Sequence, residues 1–336
     1  MPETDLTRSV WMIDADDFPS EGATERQVEF LLGYAVLAPS SHNSQPWRFR
    51  VSGNEVAVEA DGSRWLRAAD PDRRELYISV GCAVENLRVA AEHFEFDPRV
   101  EHGDPATSDH LVTVTLASGD EPPEGRSTAL FDALTTRATS HELFEDRPLG
   151  GAVRETIREA VDEDGVTLHL VDDPETKAAV AELQAEADRL QMDDPEYRKE
   201  LGRWIGRGAL GASWLTARVG QAVVTHFDLG DREAAKNSKL IESAPVVAVL
   251  TTDTDDPGAQ VRTGLAFERV ALSASADGVA VHPMSQTLER PGTRARLERL
   301  LPEPAGVPQH LFRLGYAEGP TDHTPRWPLE TFLGAE

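Results

Sequence analysis

Apolar residues near the start of the chain pass from helical to strand-like spacing. Residues 30–37 are almost continuously apolar and predict a buried helix. Alternating apolar residues follow and predict strands: Phe49, Val51, Val56 and Val58. The intervening residues 38–46 are polar, contain two prolines and predict a loop held between a core helix and a sheet. A rigid scaffold aims the polar groups of such a loop, so residues 38–46 predict part of a functional site.

A longer pattern repeats at an offset of 183 residues. Residues 81–91 and 264–274 share Gly, Ala, Glu and a later Ala at matching positions, and both predict Ala-rich core helices. Each helix is followed later by an apolar strand that contains His-Leu, at residues 110–114 and 310–314. Chance similarity of two helices is the alternative, but the shared helix-then-strand order favours a duplication. The sequence therefore predicts two related halves in one chain.

The segment between these halves is rich in Pro, Gly and acidic residues, which is typical of a linker. A charged stretch and several glycines later interrupt the second half and predict an insertion, either a mobile cover over a site or a packed helical hairpin. The predicted units are an N-terminal extension (residues 1–24), a first half (25–118), a linker (119–127) and a second half (128–336). The insertion, at about residues 184–235, lies within the second half.

The charge of the chain limits the classes of partner. It has 59 acidic and 33 basic residues, a formal net charge of −26, and only four lysines. Acidic residues spread along the whole chain indicate a hydrated surface suited to a salt-rich cytoplasm and hence a halophile, with an ordinary acidic protein as the alternative. Nucleic acid is disfavoured as a partner because binding it requires a basic face.

Several other classes of protein and site are also disfavoured. No apolar run is long enough for a membrane span, and no signal-peptide pattern opens the chain. The single Cys82 predicts no internal disulfide, which fits a cytoplasmic protein. We expect no metal, because zinc spacing is missing and Asp253, Asp255 and Asp256 lack the Gly and Glu of a calcium loop. The Gly-x-Gly-x-x-Gly pattern at residues 206–211 follows a charged helical stretch, whereas a dinucleotide site requires a preceding strand.

Four short segments carry a resemblance to one flavoprotein family. Residues 39–47 (PSSHNSQPW), 137–144 (RATSHELF), 278–285 (GVAVHPMS) and 324–329 (TPRWPL) resemble segments of the nitroreductase family. Ordinary members are homodimers whose two flavin mononucleotide (FMN) sites each draw on both subunits. The chain resembles such a dimer fused into one polypeptide with one site retained, as in the Acg-type branch. The resemblance implies an α+β, nitroreductase-like fold with a small, mainly antiparallel sheet in each half, a shared helical interface and a monomeric protein.

The resemblance assigns five residues to the phosphate and the polar edge of FMN. Arg137 and Arg326 would bind the phosphate, because a guanidinium forms paired hydrogen bonds to phosphate oxygens. Thr139 would add a hydroxyl near the start of its helix, where backbone N–H groups favour an anion. A cation near flavin N1 and O2 stabilises the reduced ring, and either His141 or Lys239 falls in that place. The alternatives are surface ion pairs for the arginines and a solvated lysine.

Two sets of residues would enclose the flavin ring: Pro283, Met284 and Ser285 from the second half, and Pro39, Ser40, Ser41 and Asn43 from the first. The second-half set would offer a backbone N–H to flavin N5, with a turn at a strand end as the alternative. The first-half set would reach the pyrimidine edge or the ribityl hydroxyls, although Ser and Asn beside proline also terminate helices. His42 would lie on the substrate side at the mouth of the pocket, with a side chain that simply faces water as the alternative.

The function implied by the resemblance is that of an FMN-dependent oxidoreductase. Hydride would pass from NAD(P)H to flavin N5 and then to a small acceptor such as a nitroaromatic or a quinone, in ping-pong turnover. No side chain is then required as a nucleophile or base. The alternative is a protein that binds or sequesters FMN with little turnover, because an insertion over the site would block nicotinamide.

Overall fold

Along the chain, the first half has one pair of adjacent strands before a long helix and a second pair after it. The computed structural model describes residues 6–103, 110–118, 127–209, 211, 214–226, 229–319 and 321–334. The elements of the first half are, in order, α1 (Thr24–Ala35), β1 (Trp47–Ser52), β2 (Glu55–Ala60), α2 (Arg74–His93), β3 (Phe96–His102) and β4 (His110–Ser118). The predicted linker, residues 119–127, lies outside the described residues except for Ser127, whose Oγ caps the next helix by accepting from Leu130 N–H at 3.3 Å.

The second half repeats this arrangement with more helices. Its elements are, in order, α3 (Thr128–Thr136), α4 (Gly151–Glu159), β5 (Val166–Val171), α5 (Pro174–Asp193), α6 (Pro195–Gly206), α7 (Trp214–His226), α8 (Gly230–Ser243), β6 (Val246–Thr252), α9 (Pro257–Ala276), β7 (Ala280–Pro283), α10 (Pro291–Glu298) and β8 (Val307–Gly315). Among the helices that the structure describes, none combines the length and the apolar character needed to cross a membrane.

The two sheets have the same topology. Each has four antiparallel strands, in the order β1-β2-β4-β3 in the first half and β5-β6-β8-β7 in the second. The strands predicted at residues 110–114 and 310–314 are β4 and β8. Helices α2 and α9 are both 20 residues long, and they begin 183 residues apart at Arg74 and Pro257. The predicted α+β fold with two repeated halves is confirmed.

Helices α2 and α9 cross at two equivalent glycines. A Cβ added to Gly81 would lie 2.2 Å from the carbonyl oxygen of Val261, and one added to Gly264 would lie 2.1 Å from that of Ile78. Ile78 and Val261 are also 183 residues apart, so the same contact occurs twice across a pseudo-two-fold axis. Most residues of both helices are buried, which places the shared core between the two sheets.

Both chain ends pass close to the first half. The N–H of Phe49 in β1 donates to the carbonyl of Phe332 at 2.9 Å, and the N–H of Gly334 donates to the carbonyl of Phe49 at 2.8 Å. Near the N-terminus, Thr7 and Arg326 exchange two backbone hydrogen bonds of 2.8 Å each. These contacts bring the C-terminal segment of the second half against β1 and against the segment that precedes α1.

The insertion is a group of four helices, α5–α8, between β5 and β6. In the first half the equivalent strands β1 and β2 are joined by a two-residue turn, in which Gly53 has a φ of 60°. The helices are therefore an addition to the repeated core, and the predicted bounds of about 184–235 fall within α5 and α8. The glycine pattern at residues 206–211 follows a helix rather than a strand, although Leu210 lies outside the described residues.

The segment after α3 differs from the prediction. Thr139 was expected near the start of a helix, but α3 ends at Thr136 and residues 137–144 run as an irregular, extended segment. Thr139 forms a parallel bridge with Val281 of β7, and Arg313 donates to the carbonyl oxygens of Ser140 and Glu142 at 3.1 and 2.6 Å. If a helix began near Thr139, these carbonyl oxygens would accept hydrogen bonds from its backbone N–H groups, whereas here they accept from Arg313. The prediction of a helix N-terminus beside Thr139 is therefore wrong.

Candidate functional site

The loop of residues 38–46 holds three non-glycine residues in the left-handed backbone region. His42, Asn43 and Gln45 have φ values of 49°, 53° and 51°. Such conformations cost roughly 1–3 kcal/mol each and persist where surrounding contacts impose them. One such contact is the hydrogen bond of 2.9 Å that Ser40 Oγ accepts from the N–H of Gln45. The predicted site loop is thus strained and fixed rather than open.

The C-terminal segment holds this loop from the other half. Arg326 Nη2 donates to the carbonyl oxygens of Leu37 and Ala38 at 3.1 and 3.2 Å. Asn43 Nδ2 donates to the carbonyl oxygen of Pro325 at 2.7 Å, and Gln45 Oε1 accepts from the N–H of Trp327 at 3.0 Å. The first and fourth of the predicted segments are therefore in direct contact, although Leu37 and Arg326 are 289 residues apart in the sequence.

The two arginines predicted to bind phosphate meet around Glu268 of α9. Arg137 Nε lies 3.2 Å from Glu268 Oε1. Arg326 is buried, and its Nε has no hydrogen-bond partner among the described residues. Burial and, after it, the charge of Arg137 lower the pKa of Arg326 to about 9, while Glu268 opposes the shift. The structure thus brings the guanidinium groups together at one buried place, which we call the arginine pair (Arg137 and Arg326).

Glu268 offsets only part of the charge of the arginine pair. Its side chain is fully buried, and neither carboxylate oxygen has a hydrogen-bond partner among the residues described. Burial raises the pKa of Glu268 to about 7, although the two arginines lower it and Glu85 raises it. Two buried cations with one poorly bonded carboxylate form a place where a further anion is electrostatically favoured.

The equivalent place in the other half has its charges matched. Glu85 lies 183 residues before Glu268 and is also fully buried. Arg269 Nε donates to Glu85, and Arg88 Nη1 lies 3.2 Å from Glu85 and 2.7 Å from Glu163. This cluster balances its two cations with carboxylates of the chain, although Arg88 Nε, Arg269 Nη2 and Glu85 Oε2 also lack hydrogen-bond partners among the described residues. The pseudo-symmetry is thus broken in the balance of charge.

Basic residues also surround the segment that follows Arg137. The ring of His141 lies 4.4 Å from that of His282, and Arg313 Nε donates to His282 Nδ1 at 3.0 Å. Burial, followed by the charges of His141, Arg313 and Lys236, holds the pKa of His282 well below its usual range. Lys236 and the predicted Lys239 are both exposed on α8, and Lys236 is the lysine whose charge acts on His141.

The predicted Pro283, Met284 and Ser285 lie where β7 ends beside β8. The Met284 N–H donates to a carbonyl oxygen of β8 at 2.7 Å, so the sheet uses this donor. Ser285 Oγ lies 3.4 Å from His310 Nδ1, which lies 3.6 Å from Glu75 Oε1 of α2. The turn is therefore linked to the N-terminal part of the central helix through one histidine.

The insertion covers the first-half loop. Asn43 Nδ2 donates to the carbonyl oxygen of Ala209, just after α6, at 2.8 Å. The His42 ring lies 6.2 Å from the ring of Tyr197 in α6, and burial lowers the pKa of His42 to about 4. Glu200 of α6 also accepts the N–H groups of Ala68 and Ala69 at 3.1 and 3.0 Å. The structure therefore places the predicted substrate-side His42 beneath the insertion.

Four buried polar residues near these segments were not among the predicted site residues: Glu75, Glu268, His310 and Arg313. Glu268 carried a signal, since it coincides with Glu85 in the repeat. His310 and Arg313 belong to an apolar strand that predicts only core. Their role in holding the site depends on partners far along the chain, which one sequence does not reveal.

These contacts define an α+β protein of two pseudo-symmetric halves with one buried, cation-rich junction between them. No family model matches the chain. The Mycobacterium tuberculosis (strain H37Rv) protein named "Putative NAD(P)H nitroreductase Rv3131" is 30% identical over 310 residues, which cover 90% of this chain and 88% of that protein. "Putative NAD(P)H nitroreductase acg" of the same strain is 28% identical over 323 residues, covering 93% and 96%. The chain belongs to this nitroreductase family, which confirms the predicted resemblance.

Solved structures with similar folds were also found. A nitroreductase with bound FMN from Desulfitobacterium hafniense is 17% identical, covers 62% of this chain and 99% of its own, and has a TM-score of 0.43. Nitroreductase A from Vibrio parahaemolyticus is 13% identical, covers 61% and 74%, and has a TM-score of 0.40.

Proposed function

We propose that the protein is an FMN-dependent oxidoreductase that uses NAD(P)H and holds one FMN between its halves. The observation that carries the proposal is the buried arginine pair, which faces a single carboxylate and leaves Arg326 Nε without a partner among the described residues. The two mycobacterial relatives, each named "Putative NAD(P)H nitroreductase", support the redox class. We also propose that the chain is a fused dimer that works as a monomer.

The residues at the junction fit a phosphate-bearing cofactor. Arg137 and Arg326 would hold the phosphate through charge-assisted hydrogen bonds, and Thr139 would add its hydroxyl. Asn43 and its neighbours in the first-half loop would form the opposite wall, and Ser285 would contribute from the end of β7. Lys236 and Arg313, rather than Lys239, would supply positive charge near His141.

When bound, FMN would supply hydride transfer from NAD(P)H to a small acceptor such as a nitroaromatic or a quinone. The protein's own residues would bind, orient and exclude water. Arg313 fixes the segment after Arg137 through the carbonyls of Ser140 and Glu142, so that this wall keeps its shape. Asn43, tied to both Pro325 and Ala209, joins the loop, the C-terminal segment and the insertion at one point.

A second function, FMN sequestration with little turnover, is favoured by the contacts of the insertion. The hydrogen bonds from Asn43 to Ala209, and from Ala68 and Ala69 to Glu200, hold α6 against the first half. If these contacts persist in solution, nicotinamide would be kept away from the flavin.

Anaerobic reduction separates the two functions. NADH or NADPH is added to the FMN-loaded protein without oxygen, and the visible flavin absorption band is followed. Bleaching within seconds supports the oxidoreductase. A band that persists with NAD(P)H but bleaches with dithionite supports sequestration. Protein that remains colourless after incubation with FMN would refute both functions.

A further inference from the structure

Glu268 and a bound phosphate would compete for the same cations. Arg137 Nε is already 3.2 Å from Glu268 Oε1, and the carboxylate is fully buried. Two arginines and one carboxylate leave one net positive charge in the cluster. A phosphate dianion would turn this into one net negative charge, whereas a proton on Glu268 would make the loaded site neutral. Burial makes an unmatched charge costly, so the neutral arrangement is favoured.

We propose that Glu268 takes up one proton when FMN binds. The Glu268 carboxylate is then the counter-ion of the arginine pair in the FMN-free protein, and the phosphate replaces it in that role. This inference rests on the proposed FMN site. The proton comes from solvent, no bond between heavy atoms changes, and Glu268 is a positioning residue rather than a catalytic one.

Among the described residues, Glu268 faces two arginines and, on α2, a thiol and a second carboxyl group. Arg326 remains charged near neutral pH, since its lowered pKa is about 9. On α2, burial raises the pKa of the Cys82 thiol well above its usual range, so this thiol stays neutral. Glu85, also on α2, is held by Arg88 and Arg269.

His323 also lies near the arginine pair. Burial and, with it, the charges of Arg137 and Arg326 lower the pKa of His323, whereas the backbone at Thr136 and Arg137 opposes the shift. His323 is therefore neutral near pH 7. A bound phosphate would change the pKa of His323 less directly than that of Glu268, because Glu268 contacts Arg137.

The direction of the pH dependence follows from these charges. Burial raises the pKa of Glu268 to about 7 in the FMN-free protein, and a neighbouring phosphate would raise it further. Below pH 7 Glu268 is already protonated, so binding takes up little. Above pH 7 each FMN must bring a proton with it, and the dissociation constant should rise by up to about tenfold per pH unit. FMN's own phosphate weakens binding only below about pH 6, where it loses its second charge.

Calorimetric titration of the FMN-free full chain with FMN tests the proposal. Titrations at about pH 8 in two buffers of different protonation enthalpy give the number of protons taken up. We expect nearly one proton for the wild type and a much smaller uptake for Glu268→Gln, whose FMN affinity should vary little between about pH 7 and pH 8, below the pKa of about 9 of Arg326. Glu85→Gln is the matched control, because it places the same amide at the equivalent buried position and should keep the proton uptake.

Three results would overturn the proposal. Wild-type protein that binds FMN with no proton uptake and a constant affinity between about pH 7 and pH 8 would refute it and leave the FMN site intact. Glu268→Gln that retains the wild-type pH dependence would refute the role of this residue. Failure of wild-type protein to bind FMN would overturn this inference together with the proposed function.

Discussion

Arg326 is held by backbone carbonyls yet lacks a full counter-ion. Its Nη2 donates to the carbonyls of Leu37 and Ala38, and its Nη1 donates to Thr324 Oγ1 at 2.6 Å. These contacts fix the guanidinium without neutralising it, and its Nε remains without a partner among the described residues. A residue with this combination is positioned to bind an anion at little further cost in side-chain entropy.

Removal of the arginine pair should abolish most FMN affinity. Each arginine would contribute about 1.5–3 kcal/mol through charge-assisted hydrogen bonds, so Arg137→Ala or Arg326→Ala should weaken binding by about 10- to 100-fold. The double variant should bind FMN weakly or not at all. Quenching of FMN fluorescence on titration with protein measures the affinity. Arg88→Ala removes an arginine beside the equivalent Glu85 and is the matched control.

Two outcomes would contradict this assignment. One is an unchanged dissociation constant in the double variant that a thermal melt shows to be folded. The other is an equal loss of affinity in Arg88→Ala, which would indicate a general effect of removing a buried arginine.

Single residues of the site could be predicted only where a recognisable segment contained them. Arg137, Arg326 and Asn43 meet at the junction that the segments implied, although their binding roles remain predictions. Glu268 and Arg313 could not be assigned, because their importance comes from partners brought to them by the fold. Lys239 illustrates the same limit, since a helix turn decides whether it or Lys236 faces His141.

At the scale of elements, α2 and α9 cross at close range where the two halves meet. Gly81 and Gly264 each lie where an added Cβ would meet a carbonyl oxygen of the other helix. Real Cβ atoms do not approach so closely, so any larger residue would force the helices apart and disturb the packing of both sheets.

Substitution of either crossing glycine should destabilise the protein. Gly81→Ala or Gly264→Ala should lower the free energy of unfolding by about 1–3 kcal/mol, even though alanine is the better helix former. Gly292→Ala in α10 is the control, because no atom lies within 4 Å of the added Cβ. Urea unfolding followed by circular dichroism gives the values. Crossing variants as stable as Gly292→Ala would show that the helices do not pack as described.

Element types were predictable where periodicity was strong and local. The paired helices and the His-Leu strands were found from the repeat, because their apolar spacing is imposed by a shared core. The segment at residues 137–144 was assigned wrongly, since its extended shape depends on Arg313 and on β7, which lie far along the chain. The place of the insertion, in the position of a hairpin turn, became evident only from the sheet order.

At the scale of the whole molecule, the two halves share a topology but not a charge balance. The Glu85 cluster pairs Arg88 and Arg269 with carboxylates of the chain, whereas the Glu268 cluster keeps excess positive charge. We therefore expect the repeated framework to bind an anion at one junction and not at two. The net charge of −26 continues to predict stabilisation by salt, and a halophilic origin remains a prediction.

The most direct test of the account is the number of FMN molecules that one chain binds. FMN-free protein is titrated with FMN at concentrations well above the dissociation constant, and bound flavin is measured after separation from free flavin. We expect one FMN per chain, lost in the Arg137→Ala, Arg326→Ala double variant and kept in Arg88→Ala. Two FMN molecules per chain, or none, would contradict a single flavin site between the halves.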